Sequence, residues 1–235
     1  VSSVVFDRVD VSVPVPGQDR KPLLTGINLE LTERRIAIIG SNGSGKSTLL
    51  RLINGLVTPT SGQVLVNNLG TAAKGGKVRR LVGFVFTDPL SQLVMPTVLE
   101  DVELSLRAHT HRSQRRTVAE QVLERFSLLP LAEQSIYDLS GGERQLLALA
   151  TVLAVDPEIL VADEPTTLLD LRNRDKIGRL LAGLPQQVIV STHDLELAAD
   201  ADRVLVVDQG MVVFDGAPGE AVSFYRQLAT AEVPR

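Results

Sequence analysis

Two rhythms of apolar and polar residues divide this chain. Residues 4–13 (VVFDRVDVSV) and 24–31 (LTGINLEL) alternate as strands with one buried face do, and a stretch containing Pro14, Pro16, Gly17 and Pro22 joins them, which predicts an antiparallel pair. Later the alternation gives way to short unbroken apolar runs at 35–39, 159–162, 188–190 and 204–207. Such runs suit strands buried on both faces. Most of them lead into polar or Gly-rich turns, with helical periodicity between, so a mainly parallel sheet with its site at the strand C-termini is expected. From about 95 to 155 the period becomes helical, which predicts an inserted helical subdomain. Asp208, Gln209 and Gly210 form a turn between two strands of a hairpin, and a closing helix is expected from about Pro218.

Composition narrows the class. The 235 residues, 44% of them hydrophobic, can bury one substantial core, so a single domain over 1–235 is expected, with 1–94 and 156–235 as its main part and 95–155 as the helical insert. A net charge of -4 argues against nucleic acid as a partner. The absence of cysteine excludes disulfides and thiolate metal sites. No apolar stretch is long enough to cross a bilayer, and the opening residues lack a signal-peptide pattern, so any membrane role is expected to come through a partner. The basic stretch HTHRSQRR at 109–116 reads first as a solvated helix or loop and second as a docking patch.

Residues 40–47 read GSNGSGKS, after the apolar run IAII and before a helical segment. This is the phosphate-binding loop pattern in the strand–loop–helix context its mechanism needs. Gly40, Gly43 and Gly45 let backbone N–H groups of the loop, which also includes Ser41, Asn42 and Ser44, turn inward around phosphates. Lys46 then reaches the β- and γ-phosphates, and the Ser47 hydroxyl can ligate Mg²⁺. The following helix N-terminus, starting near Thr48, adds about half a positive charge.

Further along, DLSGGERQ at 138–145 opens a helical segment, the strand-like ILVAD at 159–163 runs into Glu164 and Pro165, and TTLLD and STHD follow at 166–170 and 191–194. Asp163 can hold Mg²⁺, and Glu164 can polarise an attacking water, a role worth about 10²- to 10⁴-fold. In their order these motifs resemble the signature, acidic strand end, D-loop and switch-histidine loop of ABC transporter ATP-binding proteins, over essentially the whole chain. The resemblance implies an α/β P-loop NTPase with a mainly parallel central sheet, an N-terminal antiparallel β subdomain and an inserted helical subdomain. It also implies ATP and Mg²⁺ as cofactors and hydrolysis with Glu164 and His193 as catalytic residues. ATP would lie between two subunits, with Ser140, Gly141, Gly142 and Glu143 acting in trans and Asp170 connecting the subunits, so a homodimer is expected.

Residues 82–102, VGFVFTDPLSQLVMPTVLEDV, bear on subtype. Gln92, Pro96, Thr97, Glu100 and Asp101 resemble the Q-loop phrase of ATPases from energy-coupling-factor importers and the related cobalt and nickel systems. That resemblance implies vitamin or metal-ion uptake, with biotin set ahead of cobalt or nickel. It also implies a transmembrane coupling protein and a substrate-binding membrane protein as partners, and a peripheral place on the cytoplasmic face of the membrane. Asp88, Glu100, Asp101 and Glu103 are candidate receiving carboxylates for Arg-containing helices of the coupling protein. Two positions depart from the family pattern. Thr87 stands where the metal-sensing glutamine is usual, and its shorter side chain would need a bridging water. Val13 stands where an aromatic residue usually stacks on adenine, a contact worth about 1 to 3 kcal/mol. Other ABC transporter classes and a soluble ABC ATPase are the competing readings.

Overall fold

The computed structural model describes residues 2–167 and 169–231. Leu168, inside the expected loop at 166–170, and the extreme ends of the expected 1–235 domain lie outside the described residues.

Two sheets carry the fold. The N-terminal alternating segments form β1 (Val4–Val15) and β2 (Gln18–Leu31), an antiparallel pair with Val4 opposite Leu31 and Val15 opposite Gln18. The pairing runs further than the sequence predicts, taking in Pro14 and Pro22. Register shifts between Val9 and Val15 leave the ladder irregular there, and β1 loses its other neighbour beyond Asp10, so a missing N–H costs little. After β3 (Arg35–Ile39) and α1 (Lys46–Ile53), β4 (Ser61–Val66) and β5 (Leu69–Gly70) complete a four-stranded sheet in the order β2-β1-β4-β5.

The second sheet starts with β3. Helix α2 (Gly75–Leu81) leads into β6 (Val82–Val85), and α3 (Val98–Ser105), α4 (Arg115–Arg125) and α5 (Gly141–Leu153) follow. Then come β7 (Ile159–Asp163), α6 (Leu171–Gly183), β8 (Gln187–Ser191), α7 (Leu195–Ala199), β9 (Arg203–Asp208), β10 (Met211–Gly216) and α8 (Pro218–Ala231). The sheet order is β10-β9-β3-β8-β7-β6, parallel throughout except for the β9–β10 hairpin. Gln209 and Gly210 turn that hairpin with positive φ (46° and 78°), the backbone its right-handed twist favours.

Successive residues of each buried strand face opposite cores. Ile36 and Ile38 pack with Leu49, Leu50, Leu52 and Ile53 of α1 and with Val4 and Phe6 of the antiparallel sheet, while Ala37 and Ile39 face the core shared with α3 to α6. Helix α1 therefore lies between the sheets. Strand β6 meets α5 closely: a Cβ on Gly83 would lie 2.3 Å from Val152 and 3.0 Å from Pro157, so only glycine admits that approach. Among the described residues no helix is long and apolar enough to cross a membrane.

Candidate functional site

Three neighbouring strands, β3, β8 and β7, end at the same rim, and each hands on a chemically distinct loop. The loop after β3 is the Gly-rich one. Gly40 has φ 154°, and a Cβ there would sit 2.1 Å from the Val207 carbonyl; Gly45, at φ 112°, would collide with Leu24. These glycines let the loop turn against β9 and β2 before α1 begins. The loop is tied down by Gly210 N–H donating to the Ser44 carbonyl (2.9 Å) and Thr25 N–H donating to the Gly210 carbonyl (2.9 Å). Ser44 is buried, whereas Asn42 and Gly43 lie exposed at the loop's crown. Thr48 is half-buried on α1.

Lys46 is 4% exposed, and its ammonium donates to the carbonyls of Gly40 (2.9 Å) and Ser41 (3.0 Å) while lying 3.9 Å from Glu164 Oε1. Burial pulls its pKa below the ordinary lysine value, opposed by the charges of Glu164 and Asp163. The cation thus stays inside the loop, where phosphate oxygens would complete its partners.

At the end of β7, Asp163 Oδ1 accepts hydrogen bonds from Ser47 Oγ (3.0 Å) and Ser191 Oγ (2.6 Å). Among the described residues no cluster of three or more His, Cys, Asp or Glu side chains could hold a metal. Hard oxygens from Ser47 and Asp163 nonetheless fit Mg²⁺, which prefers one or two protein oxygens with phosphates and water completing the shell. Glu164 follows at φ 51°, uncommon for a residue with a side chain and worth about 1–3 kcal/mol of strain. Three neighbours hold it there. Its N–H donates to the Ser191 carbonyl (3.1 Å) and hydroxyl (3.0 Å), Thr167 Oγ1 donates to Oε2 (3.0 Å), and His193 Nε2 lies 2.7 Å from Oε1.

His193 is placed by β8, whose following residue Thr192 donates its N–H to the Ile38 carbonyl (3.0 Å), and by Asp194. Asp194 accepts the N–H groups of Glu196 and Leu197, capping α7, and pairs with Arg174 of α6 at 2.9 Å. The sequence motifs by themselves give Ser191, Thr167 and Arg174 no part in the site. The hydroxyl in STHD and the Arg four residues after Asp170 were the available signals.

The other expected site residues lie elsewhere. Ser140 caps α5: its hydroxyl accepts the Glu143 N–H (3.3 Å), and Glu143 Oε2 takes the Ser140 N–H (2.8 Å) and hydroxyl (2.6 Å), a reciprocal capping box. The Ser140 hydroxyl is the largest cause holding the Glu143 carboxyl below its ordinary pKa. Gly142 abuts the Asn173 side chain, 2.5 Å from where a Cβ would stand, at the start of α6 that Asp170 caps through Asn173 N–H (2.8 Å). Among the described residues no hydrogen bond or ion pair joins 138–145 to 40–48. Thr87 is exposed just beyond β6, and Val13 is 37% exposed on the β1–β2 hairpin.

The candidate docking acids divide. Glu100 is exposed and caps α3 reciprocally with Thr97, Asp88 accepts the Leu90 N–H (3.1 Å), and Glu103 is half-buried on α3. Asp101 corrects the expectation. It is 3% exposed, and Oδ2 accepts the N–H groups of Val94 (3.0 Å) and Met95 (3.5 Å), so its carboxylate holds the segment before α3 and is not offered to a partner.

A phosphate loop opening a helix beside a carboxylate pair and a histidine defines a P-loop nucleotide hydrolase. A family model described as ABC transporter matches residues 24–167. The chain is 45% identical over 207 residues to the biotin transport ATP-binding protein BioM of Rhizobium etli, covering 88% of this chain and 92% of that one. It is 40% identical over 220 residues to the nickel import ATP-binding protein NikO of Rhodobacter capsulatus, covering 86% of each. A solved dimeric ATP-binding cassette in a post-hydrolysis state with ADP and Pi superimposes with a TM-score of 0.83 at 32% identity, covering 92% of this chain and 98% of that one. The chain belongs to the ABC transporter ATP-binding family and is an ATPase of a transporter.

Proposed function

We propose that this ATPase drives uptake of a small nutrient, a vitamin such as biotin or a transition-metal ion such as nickel or cobalt. It does so as a homodimer on the cytoplasmic face of the membrane, beneath a transmembrane coupling protein and a substrate-binding membrane protein. The observation that carries the importer reading is the near full-length similarity to BioM. The similarity to NikO keeps the metal-ion alternative beside biotin.

In this reading the inward N–H groups of 40–47 and Lys46 hold the β- and γ-phosphates. Ser47 and Asp163 would hold Mg²⁺, with Thr87 a further candidate through a bridging water, and the ion would supply charge neutralisation on the phosphate oxygens. Glu164 polarises the attacking water, and His193, within hydrogen-bond distance of Glu164, aligns that water with the γ-phosphate. Ser140 and Gly141 are exposed and unconnected to the chain's own phosphate loop, which supports their closing the site of a second copy, with Asp170 relaying between the two.

Replacing Glu164 with Gln removes the base and keeps the shape. Turnover should fall about 10²- to 10⁴-fold with ATP still bound, and the ATP-loaded chain should elute as a dimer. A fully active or persistently monomeric Glu164→Gln protein would refute the sandwich mechanism. The importer assignment is tested by co-purification. Isolation of this ATPase with an exporter-type membrane protein in place of a coupling protein and a third, nutrient-binding component would overturn it.

A further inference from the structure

We propose that Ser191 is a positioning residue for hydrolysis, using one hydroxyl to set both carboxylates at the end of β7. This deepens the mechanism above and rests on Glu164 being the base. Ser191 is fully buried as the last residue of β8, directly opposite Asp163 in the parallel ladder. Its proton is committed: Ser191 Oγ donates to Asp163 Oδ1 at 2.6 Å. That leaves the oxygen lone pairs as acceptors, and one of them takes the Glu164 N–H at 3.0 Å.

Two consequences follow from the chemistry of a hydroxyl. Because Asp163 Oδ1 already accepts from both Ser47 and Ser191, its carboxylate plane is fixed from two sides. And because the Glu164 N–H is shared between the Ser191 carbonyl and hydroxyl, the turn at φ 51° is held by a side chain as well as by the ladder. Without the hydroxyl, Glu164 keeps one backbone acceptor and gains freedom to relax from the left-handed region, which moves its carboxylate away from the water it must orient.

The experiment compares Ser191→Ala, Glu164→Gln and the double variant in the full chain, measuring ATP turnover, ATP affinity and thermal midpoint. The proposal expects Ser191→Ala to lower kcat about tenfold with ATP affinity within about twofold of the parent, since only the chemical step needs the alignment. In the Glu164→Gln background the same change should add little. A folded Ser191→Ala protein with parental kcat, a loss confined to ATP affinity, or a full tenfold loss on top of Glu164→Gln would each overturn it. If the alanine variant melts below the assay temperature, Ser191→Cys, of similar size and a poor acceptor, makes the same comparison. Parental turnover in Glu164→Gln itself would instead sink the assignment of the base, which separates the two failures.

Discussion

Gly40 and Glu164 show how far one backbone angle decides this site. At Gly40 the loop passes so close to the Val207 carbonyl that even a methyl group has no room, whereas at Gly43 (φ 79°) nothing lies within 4 Å of an added Cβ. Gly40→Ala should therefore destabilise the protein by about 3 kcal/mol or more and abolish nucleotide binding. Gly43→Ala should cost only about 1 kcal/mol, the left-handed penalty for an L-residue. Thermal melts with and without ATP separate the two. Glu164 holds a similar conformation without glycine's freedom because Ser191, Thr167 and His193 all grip it.

At the scale of elements, the segment between β6 and α3 behaves as a braced loop. Gln92 bridges it to α5, donating to the Ala148 carbonyl (2.9 Å) and Thr151 Oγ1 (3.2 Å) while accepting the Phe86 N–H (3.3 Å). Asp101 closes it from the other side. Burial is the main cause of its raised pKa, outweighing the two backbone N–H bonds that lower it. A carboxyl whose folded pKa is raised favours the folded state fully below its unfolded value, and that contribution is lost as pH climbs through the folded value. Asp101→Asn keeps an acceptor without the charge, so its urea midpoint should drop less than the parent's as pH rises from about 4 to 7. Asp101→Ala removes the acceptor of the part-buried Val94 and Met95 N–H groups and should cost about 1 kcal/mol throughout.

For the whole molecule, the parallel order of β3, β8 and β7 brings three distant stretches of sequence to one rim, and the signature on α5 remains apart from it. Val13 and Thr87, both exposed, are the positions where the expected departures from the family pattern can be tested. If Val13 occupies the adenine-stacking position, as the resemblance implies, ATP and GTP should compete within a few-fold of each other, and strong preference for ATP in a nucleotide competition assay would contradict that. If Thr87 stands in for a metal-sensing glutamine through a bridging water, as proposed, Thr87→Gln should raise basal ATP turnover in the assembled transporter. An unchanged rate with unchanged uptake would show that the position does not couple γ-phosphate to the membrane partner.

The phosphate loop, the buried strands at 35–39 and 187–191 and the turn at Gln209 and Gly210 were legible in the sequence because each depends on neighbours along the chain: glycine for positive φ, unbroken apolar runs for two-sided burial. The order of the motifs determined the family. Strand β6 was not legible, being four residues with a glycine whose place is set by Val152 and Pro157 from across the fold. Asp101 read as an exposed acid because its burial comes from packing of the loop before α3, which local pattern does not encode. The role of Ser191 likewise came only from tertiary structure: a serine at a strand end is ordinary until the parallel ladder sets it opposite Asp163, within reach of the Glu164 backbone.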